Sequence, residues 1–156
     1  MNRYKIIMKF LTDLRDNNNK EWFNANRERY QEVKNIYINL ADELIEQIGL
    51  IDQSVRGLTA KECTFRINRD VRFSVNKSPY KTNLGIHIAK GGKMSGRAGY
   101  YIHLQAPQKE EDIKSNLDSI LSENMLFVGT YITLPKVLLS VREEIFDNGE
   151  EMKRNI

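Results

Sequence analysis

Five cations, one acid and one phenol crowd into sixteen residues near the middle of the chain: Arg66, Arg69, Asp70, Arg72, Lys77, Tyr80 and Lys81. Guanidinium groups grip carboxylates or phosphates through a planar two-pronged donor fork, and lysines add a compact point charge. Arg66, Arg69, Arg72, Lys77 and Lys81 are therefore the candidate ligand-binding residues, and the ligand they suit is anionic. Asp70 can hold one arginine in place or exchange a proton with a bound substrate. Tyr80 offers a hydroxyl, and Pro79 stiffens the turn that presents it. Asp70 and Tyr80 are the candidate catalytic pair.

The bias is wider than the motif. Residues 64–97 carry eight Lys/Arg against one acid, whereas residues 1–63 balance ten against ten and residues 98–156 carry six against ten. A solvated surface normally mixes signs, so the middle segment implies an anionic partner, with nucleic acid among the possibilities. The plain structural alternative is an internal ion-pair network, in which Glu21, Glu28 or Glu32 of the preceding helical region neutralises the motif.

Other chemistry is poorly supported. Gly91-Gly92-Lys93 lacks the glycine and the Ser/Thr of a phosphate-binding loop, because His87 and Met94 stand at those positions. His87 and His103, the two histidines, pair across a hairpin if it is symmetric about residue 95. No third ligand of suitable spacing accompanies them, so no metal site and no cofactor is expected. Cys63 is a lone cysteine and reads as a small buried hydrophobe. With no disulfide possible, no secretory leader pattern and no apolar run long enough to span a bilayer, the expectation is a cytoplasmic protein with no membrane partner.

The elements that must position the motif follow from periodicity. Tyr4–Arg15 forms an amphipathic helix with Ile7, Phe10, Leu11 and Leu14 on one face. Asn18 is the expected N-cap of a second, long helix, with Glu21 closing a capping box and Gly49 ending it. Continuous from Asn19 to Ile48, that helix would run about 45 Å, so it is either the spine of the fold or kinked. Phe65, Ile67, Val71 and Phe73 alternate with polar residues, a strand period. Arg69 falls on the apolar side of that alternation, which requires a bulge or a buried partner. Leu84–Ile88 and Tyr100–Leu104 form two further strands joined by a glycine-rich tip. A short helix through Ile113, Leu117, Ile120 and Leu121 follows, then a strand over Leu126–Ile132. Thr133 and Pro135 start a last helix. The expected architecture is a single α+β domain over 1–156, a short and a long helix on a mostly antiparallel sheet with a C-terminal helix.

Two stretches, Phe10–Tyr30 and Phe65–Asn83, together resemble the domain-of-unknown-function family 2461, conserved hypothetical proteins of bacteria and fungi. The first carries Asn17-Asn18, Lys20-Glu21-Trp22-Phe23 and Asn26-Arg27. The second carries Phe65-Arg66-Ile67-Asn68-Arg69-Asp70-Val71-Arg72-Phe73 and Lys77-Ser78-Pro79-Tyr80-Lys81-Thr82-Asn83. The likeness covers about Phe10–Leu104 and resumes near Leu126–Phe146. It implies that the Arg/Asp/Lys/Tyr motif is the family signature, and it implies no activity. Relative to the family, residues 107–125 read as an insertion. Val128-Gly129-Thr130-Tyr131 replaces a richer glycine run, and the chain is expected to be C-terminally short.

Three functions are compatible with these residues. One is a module binding an anionic, phosphate- or carboxylate-bearing ligand. Another is an enzyme acting on a phosphorylated or carboxylated small molecule. The third is a structural or interaction protein with the motif as internal scaffold.

Overall fold

In the computed structural model, residues 2–107, 123–130 and 135–154 are described. Helix α1, Arg3–Asp16, begins where the Asn2 side chain accepts a hydrogen bond from the Tyr4 amide. Its buried residues are Ile7, Phe10, Leu11 and Leu14, the face the periodicity gives. The long helix is broken. Helix α2, Lys20–Ala25, is capped by Asn19 rather than Asn18, and α3, Arg27–Ile51, follows after Asn26. The break falls at Asn26, whose backbone leaves helical geometry (φ -107°, ψ 22°) while its amide and its carboxamide both donate to the Trp22 carbonyl, at 3.0 and 2.9 Å. Its own carbonyl then accepts the first helical bond of α3, from the Tyr30 amide.

Helix α3 runs past Gly49, which is buried in its last turns, and ends at Asp52. Gly49 is needed there for room, because a Cβ would lie 3.2 Å from the Arg56 side chain. Val33, Tyr37, Ala41 and Ile45 form a stripe of four-residue steps along α3. A short 3-10 turn and α4, Ala60–Cys63, lead to the motif, and Thr59 with Glu62 closes a capping box on α4.

Strands β1, Asn83–Ala89, β2, Ala98–Gln105, and β3, Met125–Thr130, form an antiparallel sheet in the order β1-β2-β3. Leu84, Ile86, Ile88 and Leu104 turn one face of the sheet toward α1 and α3 and join their buried cluster. Burying each such side chain is worth about 1.5–3 kcal/mol. The opposite face carries Gly85, His87, Tyr101 and His103. The register sets His87 against Tyr101 and His103 against Gly85, so the two histidines sit diagonally rather than opposite; the hairpin centres on residue 94, one short of the expected place.

Helix α5, Pro135–Arg154, begins at the expected proline. The expected Thr133 cap, the 113–121 helix and most of the 107–125 insertion lie outside the described residues. The molecule is α+β, with α1 and α3 packed on one face of an antiparallel sheet. Among the described residues no helix is long and apolar enough to cross a membrane.

Candidate functional site

The expected Phe65–Phe73 strand is replaced by a shorter, irregular ribbon. Thr64 bridges Ile86 on β1, and Asn68 bridges Tyr80. Between these points the Lys81 amide donates to Ile67 at 2.8 Å and the Arg69 amide to Pro79 at 2.9 Å. Ile67 is the buried anchor of the ribbon. Beyond Asp70 the alternation stops meaning burial: Phe73 and Val75 stand in solvent. Apolar type alone suggested a strand there, but among the described residues no neighbouring element covers those side chains.

Arg69 is half-buried and makes no ion pair among the described residues; its side chain donates to the Ser74 hydroxyl at 3.4 Å. It opens into a cleft of about 690 Å³. Lys81, Lys93, Asp70, Phe65, Tyr101 and the hairpin-tip residues Met94, Ser95 and Gly96 also line this cleft, with Asn83 and Gly85 on its floor. A cavity of that size suits a small molecule.

The expected site residues therefore scatter over four environments. Arg69, Asp70 and Lys81 reach the cleft. Arg66 lies across Phe65 from it and lines a second cavity of about 680 Å³. Arg72 and Lys77 line neither. Arg72 points outward, holding Asp70 through bonds of 2.6 and 3.0 Å, while Lys77 donates to the Val71 carbonyl. Tyr80 belongs to the core: it is 7% exposed and stacks on Phe23 with centroids 3.9 Å apart and planes 13° from parallel.

Electrostatics follow from this placement. The Arg72 fork, its backbone amide and the nearby Arg66 charge pull the Asp70 carboxyl below its usual range, so Asp70 stays ionised. Burial lowers the Lys81 ammonium from its ordinary value, and the charges of Arg66 and Arg69 lower it further. Lys81 is thus a cation crowded by cations. None of Arg66, Arg69, Lys81 and Lys93 forms an ion pair among the described residues, and neither do Glu21, Glu28 and Glu32 with the motif.

Three contributors escaped the sequence reading. Lys93 sits in the glycine-rich tip, where the sequence suggests a flexible loop whose lysines could touch a polyanion but does not bring Lys93 to the motif. The tip is docked: the Lys93 amide donates to Glu62 at 2.9 Å and its ammonium to the Lys61 carbonyl at 2.6 Å. Gly91, Gly92 and Gly96 supply the positive φ angles that this fold-back needs. Phe65 carries both ammoniums, Lys81 at 5.7 Å and Lys93 at 5.9 Å from its ring centroid. Tyr101 brings a hydroxyl, 3.1 Å from Nδ1 of His103. Gly85 makes the space, since a Cβ on it would fall 2.6 Å from the Tyr101 oxygen. The period-two pattern of β2 places Tyr101 and His103 on one face; it gives no sign that this face is a cleft wall.

A ribbon that presents the signature Arg/Asp/Lys run beside an antiparallel sheet defines an α+β protein with a basic cleft. The chain belongs to the family described as "Conserved hypothetical protein (DUF2461)", which matches residues 6–109. No curated protein and no solved structure matches the chain. Among the described residues, the buried hydrophobic cluster runs from Ile7 to Ala106, within the matched segment.

Proposed function

We propose that the cleft binds an anionic, phosphate- or carboxylate-bearing ligand, held by Arg69, Lys81 and Lys93. The observation that carries this is the convergence of three cations, none of them ion-paired among the described residues, on one concave surface. Like charges held close in a partly desolvated site repel, and an incoming anion relieves that repulsion. The lone buried Cys63 suits a reducing compartment, so the ligand is taken to be cytoplasmic.

Calorimetric titration of inorganic phosphate into the protein tests the reading. Affinity should fall as salt rises. R69A and K81A should each weaken binding ~tenfold or more, about 1.4 kcal/mol, while K77A leaves it unchanged. Salt-independent binding, or a dependence on Lys77 instead of Arg69, rejects it.

One observation favours a second reading, an enzyme acting on a phosphorylated or carboxylated small molecule. The Tyr101 hydroxyl faces the cleft with His103 behind it, a phenol–imidazole pair able to pass a proton to a group clamped by Arg69 and Lys81. Y101F should then abolish turnover while phosphate still binds.

A further inference from the structure

The cleft has a neighbour. On the other side of Phe65 a second cavity, about 680 Å³ against 690 Å³, is rimmed by Lys34, Lys61 and Arg66. Among the described residues no carboxylate lines it. Phe65, Lys81 and Lys93 line both cavities, and both ammoniums lie over the Phe65 ring. Phe65 and the lysine pair thus belong to both chambers, and each chamber has its own guanidinium: Arg69 in the first, Arg66 in the second. Lys81 feels both arginines.

We infer that the site takes a single small molecule bearing two separated phosphate groups, one in each chamber, with its body resting across Phe65. This deepens the anion-binding reading and rests on it. Three facts argue for one spanning ligand over two independent anions. The central lysines are shared, so anions held separately in the two chambers would compete for them. The chambers are of equal size. Their charge is one-sided: among the described residues, Asp70 is the single carboxylate lining either.

The placement also selects among doubly phosphorylated ligands. Arg69 lines one chamber and Arg66 the other. Two chambers suit phosphates on two ends of a sugar rather than the directly joined pair of pyrophosphate. The floor of the second chamber includes Tyr30, Val33 and Ile38, which would accept the ligand's less polar face.

Calorimetry with a hexose 6-phosphate and the corresponding hexose 1,6-bisphosphate tests this on the full chain. The bisphosphate should bind once per chain and about 100-fold tighter than the monophosphate, the gain expected when two tethered groups bind together. R66A should bring the bisphosphate down to the monophosphate's affinity. Equal affinity for the two sugars, two bisphosphates per chain, or indifference to R66A overturns the two-chamber inference while leaving the anion site standing. Failure of both sugars and of inorganic phosphate to bind removes the anion site as well. A single-stranded oligonucleotide that displaces the bisphosphate at far lower concentration would replace the small-molecule ligand with a nucleic-acid backbone. Circular dichroism on R66A separates lost binding from lost folding, and Arg66 is exposed, so the variant should fold.

Discussion

The Asn18 side chain closes both backbone groups of Tyr80. Its amide nitrogen donates to the Tyr80 carbonyl at 3.0 Å, and its oxygen accepts from the Tyr80 amide at 3.1 Å. A carboxamide thereby does what a neighbouring strand would do, at the place where the motif ribbon has no further strand beside it. This contact ties the α1–α2 turn to the Pro79–Lys81 turn and so fixes where Lys81 enters the cleft.

N18A should therefore cost about 1–3 kcal/mol, the usual penalty for stranding part-buried backbone groups. N18D should cost as much, because a carboxylate cannot donate to the Tyr80 carbonyl. Urea unfolding of the three proteins measures this. A loss below about 0.5 kcal/mol for both variants, within the range of ordinary surface changes, would mean that the turns hold each other without Asn18.

The Asn18 contact also marks the limit of what the sequence allowed. Asn17-Asn18-Asn19 plainly stops α1 and starts a helix, but three consecutive asparagines offer three equivalent caps. Local pattern cannot say that Asn19 caps α2 and Asn18 faces a residue sixty-two positions away. The same holds for Asn26, which looks like one more polar residue on a helix and instead divides it. Where a stripe of apolar residues meets one continuous partner, as on α1, β1 and β2, the reading and the structure agree. The cleft lies at the opposite extreme. Arg69 could be flagged because it broke an alternation, whereas Lys93 and Tyr101 sit on unremarkable patterns and reach the site only through the docking of the hairpin tip and the register of β2.

Tyr80 carries a separable test of core against site. Its ring stacks on Phe23 within the cluster of Phe10, Trp22 and Tyr30. Y80F keeps the ring and should change stability by less than about 1 kcal/mol, with phosphate affinity unaltered; Y80A should cost about 3–5 kcal/mol. Loss of phosphate binding in a fully folded Y80F would return the hydroxyl to the site.

Gly85 and Tyr101 should be coupled energetically. G85A alone drives a methyl against the phenol oxygen, 2.6 Å away, and costs about 1–3 kcal/mol as overpacking. Removing that oxygen relieves part of the clash, although ring carbons at 3.1 and 3.2 Å remain. The double variant G85A/Y101F should thus be more stable than the sum of the single effects predicts, by at least about 0.5 kcal/mol in a double-mutant cycle. Strict additivity would show that the phenol turns aside freely.

Cys63 should be silent until the protein opens. It is fully buried, and burial together with the Glu62 charge pushes its thiol up to about 11. The thiolate is the reactive form, so a disulfide reagent at neutral pH should label Cys63 only at the rate of opening. Labelling should accelerate through the urea transition in step with the loss of helix. Rapid labelling of the native protein would place the thiol at a reachable surface.

Lys81 gives the pH dependence its sign. Its folded-state value is lowered, first by burial and then by Arg66 and Arg69, so the folded protein holds that proton less tightly than the unfolded chain does. Stability therefore rises with pH through the interval between the lowered value and the ordinary lysine value of about 10.4. Below that interval the full penalty of a crowded cation is present. Cys63 works the other way: its raised value makes the fold lose stability as the unfolded thiol ionises, so the whole-protein curve mixes the two. The difference between wild type and K81M isolates the lysine. K81M should be the more stable protein at neutral pH, and the gap should shrink as the pH climbs toward 10. The same crowding predicts proton uptake when phosphate binds in that interval, since an anion restores the ammonium; the heat of binding should then vary with the ionisation enthalpy of the buffer. A gap that widens with pH, or binding heats indifferent to buffer, would show that Lys81 is comfortable in the empty cleft and is not waiting for an anion.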